Sequence, residues 1–436
     1  MKSPTETDNS IGLKDLYSLK VKSLWREFRQ QPISFWFLCG YFMVEYIRPQ
    51  SIYTVLDIFP WGTTFLLLTL FTAPFNKSIH YVSNPLNKLF TLLAFVIVLS
   101  GVFAFNPASS WNYKEVMLTW FIVYFLAINI VNTEKRLILF IIAYLLFNLK
   151  MAQFGGVAWI KRGFSFADYG LTGAPGWFHN SGEYAIQMLI FSSLALSIVI
   201  SLRHNFGTLK KWVLYSAAAM GYLAVMGASS RGSQFALVMI GAWFLLKQKN
   251  GFKGIFIFCL FFSALFMLLP DEQMQRFRNI GNDNSSLQRQ AYVDAGIEII
   301  KERPMLGAGY NNWLDYLRYK YPSGVGPRNS LQVAHNIYIQ AGAELGVFGL
   351  ACFLLMVIYA FINNARTRRM AKTLDKKLFF NLTYGLDAGL IGYLIAGTFV
   401  TVLYYPFFWI QITMIVMLNS ITRNQWEKSL VVTKHT

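Results

Sequence analysis

The side chains best placed for chemistry are three arginines and a histidine, each in a polar interruption between long apolar runs. In Ser229-Ser230-Arg231-Gly232 a cation falls in the first turn of a helix that Ser229 or Ser230 can cap. Arg289 falls near the start of a second helix, opened by a capping box of Ser285 with Gln288. The helix dipole opposes a cation at either place, so both positions point to an anionic partner; the plainer reading for Arg231 is an arginine that snorkels to an interface. Arg48, where the first apolar run ends, divides between the same two readings. An arginine fork meets phosphate oxygens in pairs and keeps its charge. His335 opens an apolar run, and the positive end of a helix favours a neutral imidazole, hence a base competent near neutral pH. Asn336 stands beside it, and Tyr292 shares the Arg289 face of its helix. Lys161, Arg162 and His179 lie in a Gly- and aromatic-rich connection, 153–181, and complete the candidates for binding a substrate.

These residues need elements to hold them. Hydrophobic content of 55%, aromatic content of 17% and charged content of 14% exclude a chain of soluble domains and indicate an all-α polytopic membrane protein. About twelve apolar runs have the length that satisfies a helix backbone across hydrocarbon. They are expected at 33–47, 54–73, 88–106, 115–131, 136–150, 182–202, 211–228, 232–247, 253–270, 334–363, 380–402 and 404–421. The organisation read from them is an N-terminal tail (1–32), nine spans (33–270), a large helical outer loop (271–333), three spans (334–421) and a C-terminal tail (422–436). No cleavable signal peptide is expected in the polar first 32 residues.

Short loops rich in Lys and Arg stay in the cytoplasm, and the dense run Arg366 to Lys377 fixes the orientation with both tails inside. Of 39 Lys and Arg, 25 then lie inside and 14 outside, eight of the latter in the long loop. The net charge of +18 is therefore largely topogenic, faces anionic membrane lipid and requires no nucleic acid. Cys39, Cys259 and Cys352 fall within spans, where neither a disulfide nor a metal-thiolate site is expected.

Within the long loop, Leu287, Ala291, Ala295 and Ile299 line one face of a helix that Pro304 ends, and that helix is expected to lie over the membrane surface. Lys301 and Arg303 suit its C-terminal end. Pro304-Met305-Leu306-Gly307-Ala308-Gly309 is a turn, a short helix is expected near 311–319, and a Gly/Pro connection follows at 321–327. In the 153–181 connection Trp159, Phe164, Phe166, Tyr169, Trp177 and Phe178 are expected in the interfacial belt, with stacking on sugar rings or covering a lipid tail as the other readings.

Three pieces, in order and spacing, resemble the O-antigen ligase family and its superfamily with O-antigen polymerases and protein O-oligosaccharyltransferases. They are Ser230-Arg231-Gly232, the Arg289 to Pro304-x-x-Gly307-x-Gly309 element, and Ala334-His335-Asn336 followed by Glu344-Leu345-Gly346-x-x-Gly349. Glu45 to Ser51 is similar to ligases associated with exosortase systems. The resemblance implies a C-type glycosyltransferase of the bacterial inner membrane, active on the periplasmic face. Its donor would be an undecaprenyl-pyrophosphate-linked glycan and its acceptor a lipid A-core hydroxyl. The family's functional histidine and arginines map onto His335, Arg231 and Arg289.

Such a transfer needs a base for the acceptor hydroxyl and positive charge for the departing pyrophosphate. No Asp-x-Asp lies in the outer segments; Asp271-Glu272 adjoins a span end and Asp283, Asp294, Glu298, Glu302 and Asp315 are scattered, so catalysis without a metal or other cofactor is expected. His80, His204 and His435 fall inside, which leaves His179 as the rival to His335. Glu344 and Asp387 lie deeper in spans, where an ionisable group is paired or functional, and Glu344 is read as structural. A polymerase or a protein O-oligosaccharyltransferase would share the donor and differ in the acceptor. A secondary transporter fits the span count, but the halves show no evident repeat.

Overall fold

The computed structural model describes residues 12–165, 170–247, 252–254, 256, 259, 263 and 284–434. The expected ninth span at 253–270 lies almost wholly outside the described residues, as do 271–283 with Asp271, Glu272 and Asp283, and Phe166 and Tyr169. Among the described residues every regular element is a helix, with one isolated bridge between Val325 and Ser330. Five helices there are long and apolar enough to cross a membrane: Pro85–Val102, Glu134–Lys161, Ser181–Asn205, Ile337–Thr373 and Lys377–Ala396. Trp61–Phe75 and Arg231–Leu246 are shorter apolar helices. This is a multi-pass helical membrane protein.

Two boundaries differ from the sequence reading in ways that matter for the site. The fifth run, expected to stop near 150, continues as one 28-residue helix to Lys161, because the glycines at 155 and 156 pack on Tyr184 and Met220 without interrupting it. The last two runs, expected to be separated by a single residue, are instead divided by a connection at 397–405, between Ala396 and a helix that begins at Pro406.

Ile337–Thr373 spans 37 residues but is not one straight helix. Gly346 breaks it with φ 66° and ψ −168°. The break frees carbonyls that a neighbouring turn takes up: Ala308 N–H donates to Ala343 O at 2.7 Å and Gly309 N–H to Glu344 O at 3.1 Å. In return Val347 N–H donates to Pro304 O at 2.8 Å. The 304–309 turn and the break are therefore mates, and the glycines serve this docking. A Cβ on Gly346 would stand 2.2 Å from Met305 O, so both the positive φ and the close approach require glycine. Non-helical backbone at this depth is tolerated because it is buried in protein.

The helix Asn284–Glu302 packs on the outer part of this broken helix, Gly296 against Ile339. Tyr292, Ala295, Ile299, Trp313 and Ala343 form a small second core there. The buried face is set by Gln288, Tyr292, Ala295 and Ile299, whereas Leu287, which the spacing puts on one face with Ala295 and Ile299, is exposed. Gln288, read as the second member of a capping box, donates from Nε2 to Val325 O at 2.5 Å and accepts from Arg328 N–H at 3.0 Å, which clamps the Gly/Pro connection to the helix.

Candidate functional site

The connection 397–405 is where the candidate elements meet. Gly232, one residue after Arg231, packs on Phe399 so closely that a Cβ would lie 2.4 Å from its Cδ2. Val400 lies against Gly182 at the head of the helix Ser181–Leu202. Thr401 Oγ1 accepts from His335 N–H at 2.6 Å. Ile337 N–H donates to Gly397 O at 2.9 Å, and Gln340 Oε1 accepts from Leu403 N–H at 3.3 Å. The segment is fixed from below by Trp120 and Trp409, whose indoles donate to Tyr404 O at 2.9 Å and Leu403 O at 3.1 Å. Three elements distant in sequence are thus gathered on one short, half-buried strip.

His335 adopts φ 51°, a left-handed conformation uncommon outside glycine, immediately before the helix that Asn336 caps. The Asn336 carboxamide accepts from Tyr338 N–H at 2.9 Å and Ile339 N–H at 3.1 Å, so its oxygen is committed to the helix start and holds His335 by its neighbour. The Tyr292 ring lies 6.1 Å from the imidazole, and its hydroxyl is engaged with Ser330 O at 3.0 Å and Ser330 Oγ at 2.8 Å. Arg289 is three residues before Tyr292 on the same helix and acts on His335 through its charge. Burial in the first place, and then the Arg289 guanidinium, push the imidazole down from its ordinary 6.5 to about 4. The ring is therefore neutral at pH 7, for reasons of desolvation and charge more than of the helix dipole.

Arg231 begins the helix Arg231–Leu246 with Ser230 at the cap position, but the cap bond expected from a serine does not form; Ser233 Oγ donates to Ser230 Oγ at 3.1 Å instead. Arg48 ends the helix Ile33–Ile47 with φ 50° and donates from Nη1 to Pro175 O at 2.8 Å, which ties the first helix to the 170s loop. Its Nε is buried with no bonding partner among the described residues. Trp177 of that loop donates to Glu45 and meets Tyr405 edge-on at 4.8 Å, and Phe178 is fully buried. These two aromatics therefore pack inward between helices instead of lying in an interfacial belt. His179 is exposed, with Nδ1 2.5 Å from Gly176 O and 3.6 Å from Glu183 Oε2. Lys161 and Arg162 are exposed at the end of the helix Glu134–Lys161 and join none of the contacts around His335. The structure thus brings His335, Arg289, Tyr292 and the Arg231 turn to one strip, sets Arg48 and His179 in an adjoining layer through Trp177 and Tyr405, and leaves Lys161 and Arg162 apart.

One family model, described as O-Antigen ligase, matches residues 214–354, a stretch that contains the Arg231 turn, the Arg289 helix, His335 and the break at Gly346. Through that stretch the chain is similar to the O-antigen ligase family. No curated protein matches the chain. That similarity supports an enzyme of the O-antigen ligase and polymerase type, a class that works between a glycan-lipid donor and an acceptor.

The matched stretch contains a hub that the sequence reading took as merely structural. Glu344, fully enclosed, receives Trp313 N–H on Oε1 at 3.1 Å at the start of the helix Trp313–Lys320, and Gln340 Nε2 on Oε2 at 3.3 Å. Its backbone oxygen accepts from Ser100 Oγ at 2.8 Å. Glu344 thereby joins the broken helix to the helices Trp313–Lys320 and Pro85–Val102 without touching His335. Lying outside the matched stretch, Thr401 and Phe399 were missed altogether. Nothing in their types or spacing links them to a histidine 66 residues earlier, and their importance arises from the fold alone. Among the described residues no three of His, Cys, Asp and Glu come together as a metal site.

Proposed function

We propose that the protein is an O-antigen ligase that transfers a glycan from undecaprenyl pyrophosphate to a lipid A-core hydroxyl at the periplasmic face of the inner membrane. His335 is the general base and Arg289 and Arg231 hold the pyrophosphate. The observation that carries this reading is the pairing of a desolvated, neutral His335 with the Arg289 charge beside it. A cation next to a base disfavours its protonated form, and it becomes useful once an anion lies between them. A pyrophosphate on Arg289 offsets the charge that depresses the imidazole, so the base strengthens when the donor is present. The acceptor hydroxyl loses its proton to His335 as its oxygen attacks the anomeric carbon, and the carbon–oxygen bond to the pyrophosphate breaks with its electrons stabilised by the arginine forks. In this reading the arginines supply the charge compensation and no metal is required.

A protein acceptor or a second donor chain would use the same half-site. The deciding experiment incubates the purified full-length protein with polyprenyl-pyrophosphate glycan and three acceptors: lipopolysaccharide core, a second donor molecule and a pilin-like protein. Transfer to core is expected, unchanged in saturating chelator. Transfer confined to protein would overturn the acceptor assignment, and activity abolished by chelator and restored by divalent metal would overturn the metal-free chemistry.

A further inference from the structure

The helix Ser181–Leu202 starts beside the candidate site, where Gly182 meets Val400, and its 22 residues carry the chain about 33 Å to the opposite membrane face. There, between its end and the helix Thr208–Gly227, lies a cavity of about 700 Å³. Arg203, His204 and Lys211 line it together with Trp212, Ala219 and Tyr222, and among the described residues no carboxylate does. Other cations at this end of the bundle meet acids: Lys135 lies 3.0 Å from Glu27, Lys376 2.9 Å from Glu134 and Arg368 2.5 Å from Asp387. Arg203 Nε instead donates to His204 Nε2 at 3.3 Å, a neutral acceptor that leaves the guanidinium charge uncancelled at the rim of an apolar slot.

Topogenic charge accounts for cations on this face, but not for their convergence on one cavity with apolar walls. The volume is that of a small-molecule site. Trp212, 65% exposed, marks the headgroup level, where an indole is favoured. A ligand matching all of this has a phosphate at one end and a hydrocarbon chain at the other. We propose that the cavity binds one anionic phospholipid of the adjacent leaflet, its phosphate between Arg203 and Lys211 and one acyl chain against Ala219 and Tyr222. Basic pockets between membrane helices favour such headgroups.

Native mass spectrometry of the full-length protein in detergent, titrated with phosphatidylglycerol or with phosphatidylcholine of the same chains, tests this. Wild type is expected to hold one tight phosphatidylglycerol. Arg203→Ala/Lys211→Ala should weaken that adduct roughly 30-fold, as expected for two surface cations facing an anionic lipid. Arg366→Ala/Lys372→Ala, removing exposed cations on the same face, should leave it intact. Ala219→Leu fills the slot without altering charge and should weaken the adduct as well, so the idea stays testable if the double variant does not fold. Survival of the tight adduct in Arg203→Ala/Lys211→Ala, equal binding of phosphatidylcholine, or displacement by inorganic phosphate at the lipid's own concentration overturns the proposal.

Discussion

The two ends of the helical bundle treat charge in opposite ways. At the end away from His335, Arg136 donates to four acceptors, from Gln31, Ile130, Asn132 and Ser78, at 2.8 to 3.1 Å. Glu134 there receives Lys376 at 2.9 Å and Gln425 at 2.8 Å, and Asp387 receives Arg368 at 2.5 Å and Asn364 at 2.7 Å. Around His335 the polar bonds serve position instead: Asn336, Tyr292 and Thr401 spend their oxygens on holding backbone or ring, while a cation presses on the imidazole. One end pairs its acids with bases in the interior, and the other sets a cation beside a held imidazole. Pairing suits a scaffold, and a cation beside an aligned base suits a site that receives an anionic substrate.

That contrast can be broken or sharpened by substitution. The largest effect is expected at His335→Ala, which should lower transfer about 10²- to 10⁴-fold while leaving the thermal unfolding midpoint near wild type. Full activity in a normally folded variant would remove His335 from the chemistry. Gly346→Ala should cost about 1–3 kcal/mol in stability through the positive φ, and more through the clash with Met305 O, with activity falling as the 304–309 turn undocks. An unchanged unfolding midpoint would show that the break is not required. Asp387→Asn, at the paired end, should lose about 2 kcal/mol with activity per folded molecule unchanged, measured by scanning calorimetry against assays on the soluble fraction. A selective loss of activity would place the intramembrane pair in the mechanism.

The smallest effect is a pH shift. With the free-enzyme imidazole near 4, the acid limb of kcat/KM should lie near pH 4, and Arg289→Ala should move it upward. The sign for stability is the same. The depressed value means the fold favours neutral His335, so its contribution is complete above the ordinary 6.5 and is lost as pH falls through about 4. An acid limb that stays in place in Arg289→Ala would uncouple the two residues.

Much of the architecture was legible in the sequence because bilayer thickness forces long apolar runs, and these announce themselves. The all-helical class and the helices at 33–47 and 181–202 follow from that constraint, whereas the helix at 284–302 was legible from its apolar face and the proline that ends it. What was hidden is what depends on close packing between distant segments. The 397–405 connection is itself apolar, so hydropathy merged it with the helices beside it. Gln288 matched a capping signature, which does not announce the bonds of its carboxamide to Val325 and Arg328. The two glycine signatures at 307–309 and 346 read as separate motifs, and only the fold shows that they are halves of one joint. For the candidate site, residue types and order singled out His335, Arg231 and Arg289, whereas the residues that hold His335 in place could not be read from the sequence.

The break at Gly346 also works as a surveyor's datum. From it the chain climbs ten helical residues to Asn336, a rise of about 15 Å, with both ends pinned, one by the 304–309 turn and the other by the 397–405 strip. Inserting or deleting one residue within that climb would change the height of His335 by about 1.5 Å and swing it by about 100° around the helix axis. The stretch therefore tolerates substitution more readily than any change of length, and its residue count fixes how far above the hydrocarbon the histidine is presented.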